Sequence, residues 1–375
     1  MATTVGVVRE SAPGERRVAL TPDVAKKLKA KGADIVIESG AGTAASFPDT
    51  SFKDVSTASA RDVLSRSDVL LKVQPPTIDE IGAMREGSVV IGYMSPHQSP
   101  ERTKALRDRK ITAFAMELLP RTTRAQAMDV LSSQANIAGY KAVLIAAEAS
   151  PKFFPMLTTA AGTIRPSKVL IVGAGVAGLQ AIATARRLGG QVEGFDVRPE
   201  TKEQIESLGA KFLDLGVSAA GSGGYARELT QEERDKQQQA LTEALRAFDV
   251  VITTAAVPGR KAPRIISAAM VAGMKPGAVI VDIAAETGGN VEITEAGRTV
   301  VSANGVSVIG TTNLPSSAPV HASEMYARNL YNFLELSLKD GALNLDWNDE
   351  LIAKTCLTHV GEIRHEATKK LVEGG

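Results

Sequence analysis

The clearest chemical signal in this 375-residue sequence is a set of three regularly spaced glycines. In the run KVLIVGAGVAGLQAIATARRLGGQVEGFDVR, Gly173, Gly175 and Gly178 separate an apolar, strand-like segment from an alanine-rich, helical one. In a dinucleotide-binding βαβ unit, the first glycine permits a tight turn and the second lets a diphosphate approach the backbone. The third lets the helix pack closely on the strand. The diphosphate would lie at the positive N-terminus of that helix.

A carboxylate follows the next predicted strand, as a dinucleotide site requires. Asp196 lies roughly 20 residues beyond Gly175, where an acid accepts hydrogen bonds from the ribose hydroxyls and repels a 2′-phosphate. It therefore favours NAD(H) over NADP(H). Arg198 could weaken this preference by binding the phosphate, or it could stack on the adenine. A glycine spacing alone is weak evidence, but strand, helix and acid are all in register. The alternative is a tight glycine turn in a fold that binds no nucleotide.

A second group of polar residues occurs in PRTTRAQAMDVLSSQANIAGY. We predict one long helix over residues 124–150, which would place Gln126, Asp129 and Ser132 at intervals of three along one side. Arg121 precedes them in a loop. A carboxamide, a carboxylate, a hydroxyl and a guanidinium could bind a flat, amide-bearing ring and its ribose. The same side chains could equally cap the helix and face solvent.

Short β-branched runs alternate with helix-patterned segments along almost the whole chain. Several runs are apolar at consecutive positions, which is typical of parallel strands buried on both faces. Thr21, Pro22 and Gly32 are expected to cap, begin and close the first helix. The predicted strands cover residues 5–9, 34–38, 68–73, 88–94, 111–117, 168–172, 191–196, 249–254, 278–283 and 307–311.

The alternation of strands and helices occurs twice, and the chain is long enough for two domains. Residues 1–135 plus 320–375 are predicted to form a Rossmann-like N-terminal domain that lacks a glycine motif and binds no nucleotide of its own. Residues 136–319 are predicted to form the NAD(H)-binding Rossmann domain. The predicted fold class is α/β, with two doubly wound parallel-sheet domains joined by long helices over residues 124–150 and 319–340.

Composition excludes several other classes of protein. Lys+Arg 43 against Asp+Glu 42 leaves a net charge of +1, so no strong field favours nucleic acid or an anionic membrane. No signal peptide and no apolar run of about 18 residues is recognisable, so we expect no direct membrane insertion. The single Cys356 fits a reducing cytoplasm, and it forms no metal-ligand pattern with the histidines. Arg9, Glu10 and Glu117 lie at strand ends and could be structural ion pairs or site residues.

Several segments together carry a resemblance to a known family. They are RAQAMDVLSSQANIAGYKAV, TAAGTIRPSKVLIVGAGVAGLQAIATARRLG, TKEQIESLGAKF and MKPGAVIVDIAAETGGN, with ERRVALTP near the start. They resemble the NAD(H)-binding alpha component of proton-translocating NAD(P) transhydrogenase, the Si/Re-specific type. The resemblance covers nearly the whole chain, and its most specific segment is RAQAMD-x-LSSQ-x-N. Alanine dehydrogenase, a neighbouring family, shares the architecture and ERRVALTP.

The resemblance implies an activity and an assembly. In that family, a homodimer of two-domain chains passes hydride from NADH to NADP(H) sites on a partner component. Membrane-spanning components couple the transfer to proton translocation. This chain would therefore carry NAD(H), while NADP(H) belongs to the partner. It would be cytoplasmic and peripheral, held at the inner face of the cell membrane by its partners.

The resemblance also implies roles for individual residues. Arg121, Gln126, Asp129 and Ser132 would surround the nicotinamide and its ribose, with Gln126 bridging towards the NADP(H)-bearing partner. The full set of expected cofactor-binding residues is Arg121, Thr122, Thr123, Arg124, Gln126, Asp129, Ser132, Gly173, Gly175, Val176, Gly178, Asp196, Val197, Arg198, Gly224, Tyr225, Gln237 and Ala256.

A glycine-rich segment precedes the second half of the predicted nucleotide domain. Residues 216–224 contain four glycines among small residues, so this segment should be mobile. The resemblance equates Gly223, Gly224 and Tyr225 with a mobile loop over the nucleotide. The alternative is a flexible surface connection.

An amino-acid dehydrogenase is the main alternative, and it needs an acid/base group that a transhydrogenase does not. The resemblance to alanine dehydrogenase places Arg17 and Lys72 at matching positions. However, Ser95 occupies the expected histidine position, and His97 lies two residues further along. Hydride transfer between two nicotinamides moves no proton at carbon, which favours the transhydrogenase. A non-catalytic NAD-sensing module is a further alternative.

Overall fold

The computed structural model describes residues 2–219, 227, 229–256 and 259–374. The chain forms two compact units. The first unit comprises residues 1–134 and 315–375, and the second unit comprises residues 135–314. Across the described residues of the chain, no helix combines the length and the apolar character that crossing a membrane requires.

The strands and helices follow one another as the predicted alternation requires. The strands are β1 (Thr4–Val7), β2 (Asp34–Glu38), β3 (Ser56–Ala58), β4 (Val69–Leu71), β5 (Val89–Gly92), β6 (Thr112–Ala115), β7 (Leu157–Thr159), β8 (Gly162–Ile164), β9 (Lys168–Val172), β10 (Gln191–Phe195), β11 (Lys211–Phe212), β12 (Val250–Thr253), β13 (Val279–Asp282), β14 (Thr299–Val301), β15 (Ser307–Gly310), β16 (Leu338–Lys339), β17 (Ala342–Leu343), β18 (Cys356–His359) and β19 (Glu362–Ile363). The helices are α1 (Pro22–Ala30), α2 (Ala60–Arg66), α3 (Ile78–Ala83), α4 (Pro100–Asp108), α5 (Val130–Ala149), α6 (Val176–Arg187), α7 (Thr201–Ser207), α8 (Gln231–Leu245), α9 (Ala268–Ala272), α10 (Pro319–Glu335), α11 (Glu350–Thr355) and α12 (Glu366–Glu373).

The first unit is built on an eight-stranded sheet in the order β19-β18-β6-β5-β4-β1-β2-β3. Strands β1 to β6 are parallel, and β18 joins β6 antiparallel. The chain runs from β1 to one side and returns to build the other, so the topological switch point lies between β1 and β4. Tyr326, Leu330 and Phe333 of α10 belong to the main core of this unit.

The second unit has a seven-stranded sheet in the order β11-β10-β9-β12-β13-β15-β14. All neighbouring pairs are parallel except β14 with β15. Here the switch point lies between β9 and β12, where ligands of doubly wound sheets bind at the carboxyl ends of the strands. Ala181 and Ile182 of α6 pack with Val169 and Ile171 of β9 in one buried cluster. The predicted fold class is therefore confirmed.

The helix predicted over residues 124–150 is wrong at its N-terminus. Thr123–Met128 forms a 3-10 helix, and the α-helix begins only at Val130. Asp129 interrupts the two because its extended backbone (ψ 93°) leaves the helical region. Its carboxylate accepts hydrogen bonds from the amide and hydroxyl of Ser132, at 2.9 and 2.6 Å. Asp129 therefore acts as an N-cap, a role in which aspartate is strongly preferred.

Two further helix boundaries differ from the predictions. The helix predicted over residues 319–340 ends at Glu335, because β16 and β17 form a hairpin that turns at Asp340 and Gly341. Both turn residues have positive φ, 48° and 75°, which no helix accommodates. Thr21 stands at the N-cap of α1 but makes no side-chain capping bond.

Candidate nucleotide site

The glycine turn joins β9 to α6 at the switch point of the second unit. Gly173 has a φ of 99°, and a Cβ there would lie 2.6 Å from the Thr254 hydroxyl oxygen. A Cβ at Gly178 would overlap the carbonyl oxygen of Gly173. Both positions therefore require glycine for reasons internal to the fold, as the fingerprint predicts.

Gly175 differs from the other two glycines because packing does not require it. Its φ of −76° suits any residue, and a Cβ there would meet no described atom within 4 Å. Gly175 is the N-cap of α6, so the amides of the first turn have no acceptor within the helix. Val176, the first helical residue, is 39% exposed. The open space and the free end of the helix fit the diphosphate of a dinucleotide.

Asp196 is buried beside this turn at the end of β10. Its carboxylate accepts the amide of Ala174 at 2.8 Å and the amide of Arg198 at 2.9 Å. The Arg198 guanidinium closes a second pair of bonds, at 2.9 and 2.7 Å. Burial acts to raise the pKa of Asp196, but these hydrogen bonds outweigh it and hold the pKa below its ordinary value. The acid is therefore ionised, and Arg198 occupies the oxygens that a ribose would use.

The other expected contacts of the second unit have different positions. Val197 follows Asp196, and its carbonyl accepts the amide of Ala219 at 2.6 Å. Ala256 is exposed in the segment after β12, beside the glycine turn in strand order. Gln237 is half-buried in the middle of α8. Gly223, Gly224 and Tyr225 lie outside the described residues.

The expected nicotinamide residues all lie in the first unit, along one short stretch. Arg121 and Gln126 are exposed, and Asp129 and Ser132 hold each other at the start of α5. Arg124 instead forms a bidentate ion pair with Asp349, so the structure commits it to this unit.

The two threonines between these residues differ in exposure. Thr123 is exposed at the start of the 3-10 helix, whereas the Thr122 hydroxyl is buried without a hydrogen-bond partner among the described residues.

Arg17, which an amino-acid dehydrogenase would use, is buried in the first unit. It forms a bidentate pair with Glu15, at 2.8 and 2.6 Å, and donates to Gln134 at 2.9 Å. Burial acts to raise the pKa of Glu15, but the hydrogen bonds and charge of Arg17 outweigh it and lower the pKa to about 2. Residue types alone did not reveal Glu15 and Gln134 as partners, although ERR places the acid two residues before the arginine.

Lys72 is likewise committed to acids of the first unit. It is 1% exposed and lies 3.2 Å from Glu10 and 3.1 Å from Glu80. Glu10 also accepts the amides of Val73 and Gln74, so one strand-end prediction of an ion pair is confirmed. Glu117 instead accepts the amides of Met94 and Ser95, at 2.9 and 2.5 Å, and burial raises its pKa.

The histidines are directed elsewhere. Ser95, with a φ of 46°, follows the end of β5, where a dehydrogenase would carry its histidine. The exposed His97 ring lies edge-on to the His365 ring, at a centroid distance of 6.4 Å. His359 packs on Trp347 at 4.2 Å. His321 is exposed near the start of α10.

Comparison with known proteins agrees with this architecture. Residues 6–138 match the model of the alanine dehydrogenase/PNT N-terminal domain, and residues 142–366 match that of the C-terminal domain. The first portion of the NAD(P) transhydrogenase subunit alpha from Rhodospirillum rubrum, a chain of its own, is 45% identical over 97% of this chain and 98% of its own length.

Two solved structures have the same fold. A transhydrogenase structure from Sinorhizobium meliloti superposes with a TM-score of 0.87 at 46% identity, covering 96% of this chain and 99% of its own. An L-alanine dehydrogenase structure superposes with a TM-score of 0.81 at 26% identity, covering 99% of both chains. The chain therefore belongs to the alanine dehydrogenase/PNT family, in which it is similar over nearly its whole length to NAD(P) transhydrogenase alpha subunits.

Proposed function

We propose that this chain is the NAD(H)-binding subunit of a proton-translocating transhydrogenase of the Si/Re-specific type. It passes hydride between NADH, bound at the glycine turn, and NADP+, bound on a partner component. Membrane-spanning partners supply the proton path and hold the chain at the cytoplasmic face of the membrane. The identity to an NAD(P) transhydrogenase alpha subunit and the open space at Gly175 support this proposal.

Asp196 selects NAD(H) over NADP(H). The ionised carboxylate accepts the adenosine ribose hydroxyls and repels a 2′-phosphate. In the structure the Arg198 guanidinium covers both carboxylate oxygens. Binding therefore exchanges this internal pair for the ribose, with Val197 and Arg198 remaining beside the adenosine. The diphosphate contacts Gly173, Gly175, Val176 and Gly178.

Transfer of hydride between two nicotinamide rings requires close apposition in a site from which water is excluded. It moves no proton at carbon, so it needs no general base. Asp129 and Ser132 are held by their mutual hydrogen bond and orient the nicotinamide ribose. Arg121 binds nearby, while the exposed Gln126 is available to bridge to the NADP(H)-bearing component.

The absence of a suitably placed histidine at the end of β5 carries the choice against an amino-acid dehydrogenase. Ser95 occupies this position, and its amide is bound to Glu117. His97 lies against His365. The alanine dehydrogenase reaction removes a proton together with the hydride, so it requires a positioned base. Lys72 cannot easily serve because two carboxylates surround its buried ammonium group and raise its pKa against the effect of burial.

A homodimer is supported by an exposed apolar arm in the second unit. Every residue of the β7–β8 hairpin is exposed, and Phe153, Met156, Leu157 and Ile164 are 55, 65, 40 and 43% exposed. Such a concentration of apolar surface marks an interaction site, and we assign it to a second copy of the chain. Sedimentation of Leu157→Asp should reveal monomers, whereas an unchanged dimer would contradict this assignment.

The deciding experiment is a nucleotide assay on the purified chain. NADH and an oxidised NAD analogue are incubated with and without the NADP(H)-binding component of a related transhydrogenase. We expect hydride exchange only when that component and NADP(H) are present. Turnover of pyruvate and ammonia would instead show an alanine dehydrogenase, and binding without exchange would show an NAD sensor.

A further inference from the structure

Asn290, in the loop after β13, is fully buried and uses its whole side-chain amide on a neighbouring loop. Its Oδ1 accepts the amide of Ala255 at 3.0 Å. Its Nδ2 donates to the carbonyl oxygens of Ala255 and Pro263, at 2.7 and 2.8 Å. An asparagine side chain offers two donor hydrogens and one acceptor oxygen, so all of its hydrogen-bonding groups are used.

Asn290 is itself anchored to the end of β13. Asp282, the last residue of this strand, is fully buried and accepts the amide of Asn290 at 2.8 Å. The same carboxylate oxygen accepts the amide of Val291 and the hydroxyl of Thr294, at 3.1 and 2.7 Å. The position of Asn290 is therefore set by the sheet and not by a flexible loop.

The segment that Asn290 holds lies at the switch point of the second unit. Ala255 follows Thr254 immediately after β12, the strand beside β9. The Thr254 hydroxyl donates to the carbonyl oxygen of Gly173 at 2.9 Å. A continuous series of hydrogen bonds thus joins the end of β13, through Asn290 and Ala255, to the glycine turn. Since Ala256 is exposed there, residues 254–256 form the wall opposite the glycine turn.

We propose that Asn290 is a positioning residue of the nucleotide site. It fixes the backbone of residues 254–256 in the conformation that receives the dinucleotide, so that binding requires no ordering of this wall. Ordering a loop on binding consumes affinity, because each residue fixed loses backbone entropy. The proposal rests on the proposed NAD(H) site, and it adds a residue that does not itself contact the nucleotide.

The test compares two asparagines that bind backbone groups near opposite ends of the same strand. Asn304 donates to the carbonyl oxygens of Val271, Ala272 and Met274, at 3.2, 3.1 and 3.1 Å, close to the start of β13. We expect Asn290→Ala to raise the Kd for NADH at least tenfold, measured by NADH fluorescence titration. Asn304→Ala should lower the melting temperature without changing that Kd.

A gentler pair of variants probes the same series of contacts without opening a buried cavity. Thr254→Val removes the hydroxyl that reaches Gly173, whereas Thr254→Ser retains it. We expect a weaker Kd for Thr254→Val and recovery with Thr254→Ser, which a purely structural role would not produce. If Asn290→Ala does not fold, this pair decides the question.

The outcomes separate the role of Asn290 from the proposed function. A wild-type chain that does not bind NADH would overturn the proposed function itself. A wild-type chain that binds NADH, with unchanged affinity in Asn290→Ala or in Thr254→Val, would overturn the role of Asn290. Equal weakening in Asn290→Ala and Asn304→Ala would also overturn it, because the effect would then reflect stability alone.

Discussion

Replacement of Gly175 by alanine should separate nucleotide binding from folding. The backbone at Gly175 is accessible to any residue, and a Cβ would meet no described atom within 4 Å. Alanine is a poorer N-cap than glycine, but it also reduces the entropy of the unfolded chain, which stabilises by about 0.4–1 kcal/mol. These effects offset each other, so we expect the melting temperature to change by about 2 °C or less.

The same substitution should strongly weaken NADH binding. A methyl carbon keeps an oxygen atom about 3.5 Å away, whereas an amide donor holds it at about 2.9 Å. The new methyl group would therefore move the diphosphate away from the amides of the first turn of α6. Loss of two charge-assisted hydrogen bonds costs about 3–6 kcal/mol. This corresponds to a Kd about 10² to 10⁴ times higher.

Titration calorimetry with NADH and thermal unfolding of the same samples measure both quantities. Gly273→Ala is a matched control in the second unit, because its φ is −85° and its Cβ would lie 3.5 Å from the nearest atom. This control should bind NADH normally. Unchanged NADH affinity in Gly175→Ala would refute the placement of the diphosphate, and a large loss of stability would refute the description of the turn.

Four further predictions test the site and the fold. Asp196→Ala should weaken NADH binding and reduce the discrimination against NADPH; wild-type affinity for NADH would show that the ribose lies elsewhere. Gln126→Asn should leave the Kd for NADH nearly unchanged but severely slow hydride transfer to the partner component, and normal single-turnover rates would argue against the bridging role. Because Glu15 has a pKa of about 2 against an ordinary 4.5, its pairing stabilises above pH 4.5 and is lost as the pH falls towards 2. The urea midpoint of the wild type should therefore fall more steeply over this range than that of Glu15→Gln, by about 3 kcal/mol of unfolding free energy, and parallel curves would contradict the pairing. Gly341→Ala should destabilise by about 1–3 kcal/mol, since φ is 75° and the Cβ would lie 2.5 Å from the Gly32 carbonyl oxygen; Gly14→Ala, at φ 74° with open space, should cost less, and equal losses would exclude the steric contribution.

The first residues of the nucleotide site could be recognised from the sequence because their requirements are local. Gly173 and Gly178 need glycine within a turn of a few residues, and the apolar runs of β9 and β12 reveal a parallel sheet by composition alone. The break at Asp129 also has a local cause, since an aspartate three residues before a serine can cap a helix. The apolar pattern of the following residues concealed it.

The short strands were not predictable in the same way. The exposed β7–β8 hairpin, the antiparallel β14 and the two-residue β19 have no apolar alternation long enough to stand out from a loop. They exist because a sheet edge or a neighbouring segment offers hydrogen bonds, which is information from another region of the chain.

The sequence by itself determined the α/β class and the dinucleotide turn, because periodicity and glycine spacing act over one or two turns of backbone. Only the tertiary structure decided which charges are neutralised internally. The burial of Lys72 between Glu10 and Glu80, the covering of Asp196 by Arg198 and the anchoring of Ala255 by Asn290 depend on side-chain positions that residue spacing alone does not specify. A buried polar group must find its partner wherever folding brings one within hydrogen-bond distance.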